Sequence, residues 1–248
     1  MVVALLGAAA VHFGRQRSEP PVAAVAVTTD ADTAASSARH IDVVLSSRGG
    51  DPAPVRDLAA IQEKLREGAP GTYILEMLSQ QGDTLARWPD HRNEPLRVWI
   101  QADASFPDWD PRYAVAAERA FEEWEAAGFP IRFDRVLDSA SADIHIIFVH
   151  EMPADEPTRR IGVARRVRDR DGWLLRGEVM IATHRAGRPL PAETVHGTAR
   201  HEVGHILGLG HSPSPTDVMF PESRSTVISR VDRATLHLLY LLPPGPVK

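Results

Sequence analysis

His201-Glu202-Val203-Gly204-His205-Ile206-Leu207-Gly208-Leu209-Gly210-His211 is the stretch whose reading decides the fold. As a helix it sets His201 and His205 one turn apart on the same face, where both imidazoles reach a common point. Glu202 stands about 100° further round the same turn, beside that point rather than on it. Glycine takes the left-handed backbone that ends helices, so the helix stops at Gly208 and the chain turns back. His211 then approaches the first two histidines from outside the helix. Three neutral imidazole nitrogens suit one zinc ion and leave a fourth position for water, whose pKa falls towards about 7. Glu202 is the carboxylate placed to take the proton of that water.

The stretch matches HExxHxxGxxH at every specified position, and here the sequence resembles the metzincin metallopeptidases. Met219 falls eight residues beyond His211, and the stretch around it, Ser214-Pro215-Thr216-Asp217-Val218-Met219-Phe220-Pro221, looks like the tight methionine turn of that group. The resemblance implies that Met219 forms an apolar floor under the three histidines without lending its weakly ligating sulfur to the metal. Other metzincin branches carry a tyrosine two residues after this methionine. Pro221 in that place, and Ser212 directly after His211, resemble the matrixin branch. Matrixins line the pocket past the scissile bond with Pro-x-Tyr; this chain reads Pro221-Glu222-Ser223, so their pocket preference does not carry over.

Working outward, Leu96, Val98 and Ile100 alternate with polar neighbours and predict a strand. Asp110-Pro111 opens a helix that runs to about Ala127, and Gly128 and Pro130 stop it. Residues 131–135 and 142–149 read as strands, the latter central. Residues 160–168 and 176–183 read as a strand pair across Asp171-Gly172. Ser229 to Asp232 has the form of a capping box, opening a last helix that Pro243-Pro244 ends. AFEEWEAAGFPIRFDRV and ADIHIIFV also resemble matrixin phrases, so the likeness covers about Pro95 to Tyr240. It implies an α+β fold: a twisted mixed five-stranded sheet, a backing helix, a zinc-binding active-site helix, a methionine turn and a C-terminal helix. The type implied is bacterial, without a cysteine switch or accessory domain.

Upstream, the expected organisation is a signal- or anchor-like segment (1–17), a low-complexity linker (18–54), a small extension or pro-segment (55–94), and the catalytic domain (95–248). Residues 2–13 are apolar but too short to span a bilayer, which needs about twenty residues. A secreted or extracytoplasmic location is expected, with membrane attachment through the N-terminus as its variant. Within the linker only the apolar patch Ile41–Leu45 suggests a strand. Leu58, Ile61 and Leu65 predict a helix over 55–67. Residues 73–78 and 84–88 read as strands around a turn at Gln81-Gly82-Asp83.

The chain has 248 residues, a net charge of −5 and no cysteine. A charge so small points to no nucleic-acid partner. Lack of cysteine excludes disulfides, thiolate zinc sites and latency through a cysteine on the metal. Among the remaining histidines, His145 reads as a satisfied sheet residue, and His196 and His237 lack ligand spacing. His150, Asp155 and His184 read as surface polar residues, and Asp169 and Asp171 as turn residues. Calcium is a possibility without a residue pattern behind it. Arg165, Arg166 and Arg168 stand on a strand that, by the resemblance, borders the cleft, where charge guards an open edge or favours acidic substrates.

Together these readings predict a monomeric zinc-dependent endopeptidase in which Glu202 activates a zinc-bound water. Its partner is a peptide or protein bound in extended conformation. The alternative is a catalytically silent zinc-containing binding or scaffolding domain.

Overall fold

The computed structural model describes residues 26–28, 40–45, 54–90, 94–106, 108–128, 130–153 and 160–248. In chain order the elements are β1 (Ala26–Thr28), β2 (His40–Val44), α1 (Leu58–Gly68), α2 (Ile74–Gln80), β3 (Thr84–Leu85), β4 (Leu96–Ile100), α3 (Arg112–Glu125) and β5 (Phe133–Arg135). There follow β6 (Ile144–Val149), β7 (Gly162–Arg168), β8 (Leu174–Ala182), the short hairpin β9 (His184–Arg185) and β10 (Arg188–Pro189), α4 (Ala192–Ile206), α5 (Arg230–Leu241) and β11 (Gly245–Pro246). The fold is mixed α+β, as expected.

Seven strands form the main sheet in the order β1-β2-β7-β8-β6-β4-β5. The strand pairs β2–β7, β8–β6, β6–β4 and β4–β5 are parallel, whereas β7–β8 and β1–β2 are antiparallel. The expected five strands make up the run from β7 to β5, with β6 at its centre. The sheet is wider because β2, followed by β1, pairs along the side of β7 away from β8. The apolar patch at Ile41–Leu45 was the trace of β2. The edge reading of β7 is therefore corrected: Arg166 is fully buried and paired with Asp42 rather than guarding an open edge.

Helices α3 and α4 cover one face of the sheet. Helix α3 buries Tyr113, Ala117, Ala120, Phe121 and Trp124 at helical spacing, and the Trp124 indole donates to the Arg200 carbonyl of α4 at 2.8 Å. Residues 73–78, expected as a strand, instead start helix α2. Ile74, Met77 and Leu78 are buried and spaced three and four apart, while Leu75 is 55% exposed, so only a helix hides the apolar set. Strand β3 is only Thr84–Leu85 and pairs with β11 rather than with residues 73–78. Ile61, Leu65, Tyr73, Leu85 and Trp88 share one core with α3, α4 and α5, and the Trp88 indole donates to the Ile206 carbonyl at 2.9 Å.

Asp232 ties three parts together. It forms the expected capping box with Ser229, and its buried carboxylate also accepts from the backbone N–H of Val218 (2.8 Å) and the hydroxyl of Tyr73 (3.2 Å). Burial nevertheless raises its pKa, with the accepted hydrogen bonds opposing that rise. Removing it strands several buried donors, each worth about 1–3 kcal/mol. Asp232→Ala is expected to lower stability by about 2–4 kcal/mol in urea unfolding of the full chain, with Asp232→Asn intermediate because the amide oxygen still accepts.

Candidate metal centre

Helix α4 positions the first two expected ligands. It ends at Ile206, and Gly208 follows with φ +109. The Gly208 N–H bonds the His205 carbonyl and the Leu209 N–H bonds the Gly204 carbonyl, the paired closure that a left-handed residue allows. A side chain at Gly208 would also strike the Ala86 carbonyl oxygen, 2.3 Å from an ideal Cβ. The chain reverses here and brings His211 round, as the sequence predicts. One ligand atom from each of His201, His205 and His211 lies within 4.8 Å of the others.

Each imidazole on the helix is oriented from behind. Nδ1 of His201 lies 2.7 Å from the Val218 carbonyl, and Nδ1 of His205 lies 2.9 Å from the Leu209 carbonyl. A carbonyl only accepts, so both Nδ1 atoms carry the proton and donate, and both Nε2 atoms keep their lone pairs for the cluster. The two Nε2 atoms face each other at 3.1 Å. Two bare lone pairs at that distance repel, and Nε2 of His211 is buried with no hydrogen-bond partner. A cation between them satisfies all three nitrogens, so these residues fit zinc, with carbonyl partners fixing the rings as metal-bound histidines require.

Burial holds the imidazoles neutral, which is the ligating form. It lowers His201 to about 4, and burial together with neighbouring His201 lowers His211 to about 2. Burial acts the other way on Glu202, raising it to about 8 against the opposing pull of Arg160 and a backbone hydrogen bond with Ala164. A dication next to it would return it towards the ionised form. Glu202 is 1% exposed, and its Oε2 is buried without a hydrogen-bond partner.

Met219 is fully buried and packs against helix α4 at Gly204. An added Cβ at Gly204 would sit 2.3 Å from the Met219 sulfur, so the absent side chain at Gly204 is what lets the methionine seat there. Pro221, Glu222 and Ser223 line a cleft of about 680 Å³ together with His201 and Glu202. The segment that lacks the usual tyrosine is therefore a wall of the opening beside the site.

Three residues at the site were not predicted from the sequence. Gln80 of α2 clamps the third ligand, its amide accepting from the His211 N–H (2.7 Å) and donating to the His211 carbonyl (3.0 Å). Arg160 is buried and influences both Glu202 and His211. His40 of β2 packs its ring 4.9 Å from that of His205. Gln80 and Arg160 have no local pattern; for His40 the only signal was its place at the head of the Ile41–Leu45 patch.

The other histidines behave as expected except His184, which was read as a surface residue and is buried at 3% exposure, its Nδ1 3.0 Å from the Thr183 hydroxyl. His145 bonds the Ser139 carbonyl at 2.8 Å, and His196 engages Glu123 and Arg200. His237 is exposed on α5. His150 and His184 stack at 4.0 Å; Asp155 lies outside the described residues, as do the apolar stretch 2–13 and the rest of segment 1–17. Asp169 accepts from the Asp171 and Trp173 N–H groups, as a turn residue does. Among the described residues, no helix is long and apolar enough to cross a membrane.

Fold and site together are similar to those of the matrixin branch of the metzincins. Residues 179–241, from β8 through α5, match the family model described as Matrixin. Over 112 residues the chain is 31% identical to Metalloendoproteinase 1-MMP of Arabidopsis thaliana, covering 43% of this chain and 30% of that protein. Over 154 residues it is 27% identical to Metalloendoproteinase 1 of Glycine max, covering 56% of this chain and 48% of that one. The chain thus spans less than half the length of either curated relative.

The buried imidazoles make the metal-free protein sensitive to acid. In the unfolded chain they protonate near pH 6.5; in the folded chain His40 does so only near 3, His201 near 4 and His211 near 2. Between about pH 6.5 and 4 the unfolded state therefore binds more protons, and stability falls as pH falls. Glu202 opposes this with a single group, favouring the folded state below about 8. Melting temperature of the metal-free full chain is expected to fall steadily from pH 6.5 to 4, in scanning calorimetry after chelation. A flat profile would show that the imidazoles are not buried.

Proposed function

We propose that this chain is a zinc-dependent endopeptidase acting on protein or peptide substrates. The observation that carries the reading is Glu202. A purely structural zinc site has no use for a buried carboxylate beside three imidazoles with one oxygen unpartnered. Both relatives are named metalloendoproteinases, which supports the same activity.

His201, His205 and His211 would hold the zinc, which when bound polarises a carbonyl and makes water a better nucleophile. Glu202 takes one proton from the attacking water as its oxygen bonds to the scissile carbonyl carbon. Glu202 then gives that proton to the amide nitrogen as the C–N bond breaks, and returns to the carboxylate. Burial excludes bulk water from this exchange and strengthens each interaction within it. Met219 supports the rings from below without contributing a donor. An extended peptide would lie across the cleft bordered by β7 and by Pro221 to Ser223. The apolar stretch at residues 2–13 motivates a secreted or membrane-attached location.

A catalytically silent zinc-containing domain is the second reading, and one observation favours it: β2 already lies along β7. Glu202→Gln separates the two. On the first reading the zinc-loaded variant keeps one metal per chain, measured by plasma mass spectrometry, and loses peptide cleavage by about a hundredfold or more. Cleavage unchanged in a folded, zinc-loaded Glu202→Gln protein would exclude Glu202 as the base. Full removal of zinc by a chelator should abolish cleavage, and returning zinc should restore it.

A further inference from the structure

His201 and His205 stand on helix α4, and a backbone carbonyl holds each ring at Nδ1. His211 has neither support. It follows Gly208-Leu209-Gly210, whose two glycines make this the least constrained backbone of the three ligand positions. Among the described residues no hydrogen bond orients its ring, and Nε2 is buried without a partner. What holds His211 is its backbone.

Both backbone groups of His211 go to one side chain. The Gln80 amide oxygen accepts from the His211 N–H at 2.7 Å, and the amide nitrogen donates to the His211 carbonyl at 3.0 Å. An N–H only donates and a carbonyl only accepts, so an amide matches the pair where an ionised carboxylate, which only accepts, would not. Space is left for it: an ideal Cβ at Gly210 would lie 2.7 Å from Gln80 Oε1 and 2.9 Å from Met77 Cγ. The neighbouring amide takes the other end of the same turn, Gln81 Nε2 donating to the Gly208 carbonyl at 3.2 Å. The carrier is firmly seated. Ile74 and Met77 of α2 are fully buried in the core shared with α4 and α5, and the Tyr73 N–H bonds the Thr235 hydroxyl of α5 at 3.1 Å. Helix α2 lies outside the residues that match the family model, 179–241, so the likeness gives Gln80 no role.

We propose that Gln80 is the positioning residue of the third ligand: by holding both backbone groups of His211 it keeps that imidazole at the cluster and sets how firmly the metal is retained. Without the clamp, His201 and His205 stay in place on their helix, while His211 moves with the glycine turn and the site falls towards two nitrogens. Residues that support a metal ligand in this way typically change metal affinity by about 10–100-fold. This rests on the three histidines as the metal site and not on what the metal does there, so it goes beyond the endopeptidase reading and does not need it.

The full chain is loaded with zinc and its release followed after mixing with excess coloured chelator; cobalt(II) in place of zinc reports the donors around the metal through its visible bands. Gln80→Leu should release zinc about tenfold or more faster than wild type and show shifted, weaker cobalt bands. Gln80→Glu keeps an acceptor for the N–H but no donor for the carbonyl, and should fall between the two. Gly210→Ala displaces the amide from the other side, and serves if Gln80→Leu does not fold. Ile74→Val loosens the same helix without touching the amide: its melting temperature should fall while its bands and release rate stay those of wild type. Folded Gln80 variants with wild-type release and bands would overturn the proposal, as would Ile74→Val moving both as far as Gln80→Leu does. A wild-type chain that takes up neither metal would overturn it together with the metal site. If release separates as expected while no form cleaves peptide, the clamp stands and the peptidase reading falls.

Discussion

Two hydrogen bonds hold the centre of this molecule: His201 Nδ1 to the Val218 carbonyl and His205 Nδ1 to the Leu209 carbonyl. Each fixes a tautomer and a ring plane, and so decides which lone pair faces the cluster. Neither acceptor lies within helix α4, so the surrounding chain must deliver both. Leu209 arrives through the left-handed turn at Gly208, which reverses the chain within two residues of the helix end. Val218 arrives through the turn above Met219, and that turn is held by the Asp232 carboxylate at the start of α5. A residue on the last helix thus orients a ring on the fourth.

Electrostatics run against this arrangement as much as for it. Burying the imidazoles keeps them neutral and ready to ligate, but the same burial pushes Glu202 towards its protonated form. A site that must be dry for its ligands is therefore unfavourable for its base until a cation is present. Asp42 illustrates the opposite balance. Burial pushes its pKa up, yet Arg166, His40 and Arg168 together hold it below the usual carboxylate range. The pair stays ionised inside the protein and joins strand β2 to the backbone of α4.

Much of this was legible from residues close together in the chain. Three histidines at fixed spacing, a glycine two residues past the helix end, and a Ser-to-Asp capping box are local signals, and each keeps its meaning in the fold. The alternation in β4 and β6 and the helical spacing of α3 were equally clear. Tyr73 to Leu78 misled because an aromatic and branched residues favour strands locally, whereas the core imposes a helix that buries Ile74, Met77 and Leu78. His40, Gln80 and Arg166 were opaque for another reason. Their roles depend on partners 131, 124 or more than 150 residues away, and no local pattern announces such a contact.

The Gln80 amide carries a consequence for how such a chain can be divided. It grips the backbone of His211 from both sides, while Trp88 and the buried face of α2 pack beneath α4 and α5. Residues 58–88 are in this sense a structural brace for the third ligand. A cut that removed them would unseat the donor from outside the helix and expose apolar core. A cut that released only β1 and β2 would leave the brace in place, but it would open one sheet edge and leave the buried Arg166 without Asp42. The two halves of the upstream region therefore differ in kind, one bracing a histidine backbone and the other extending the sheet and pairing a buried arginine.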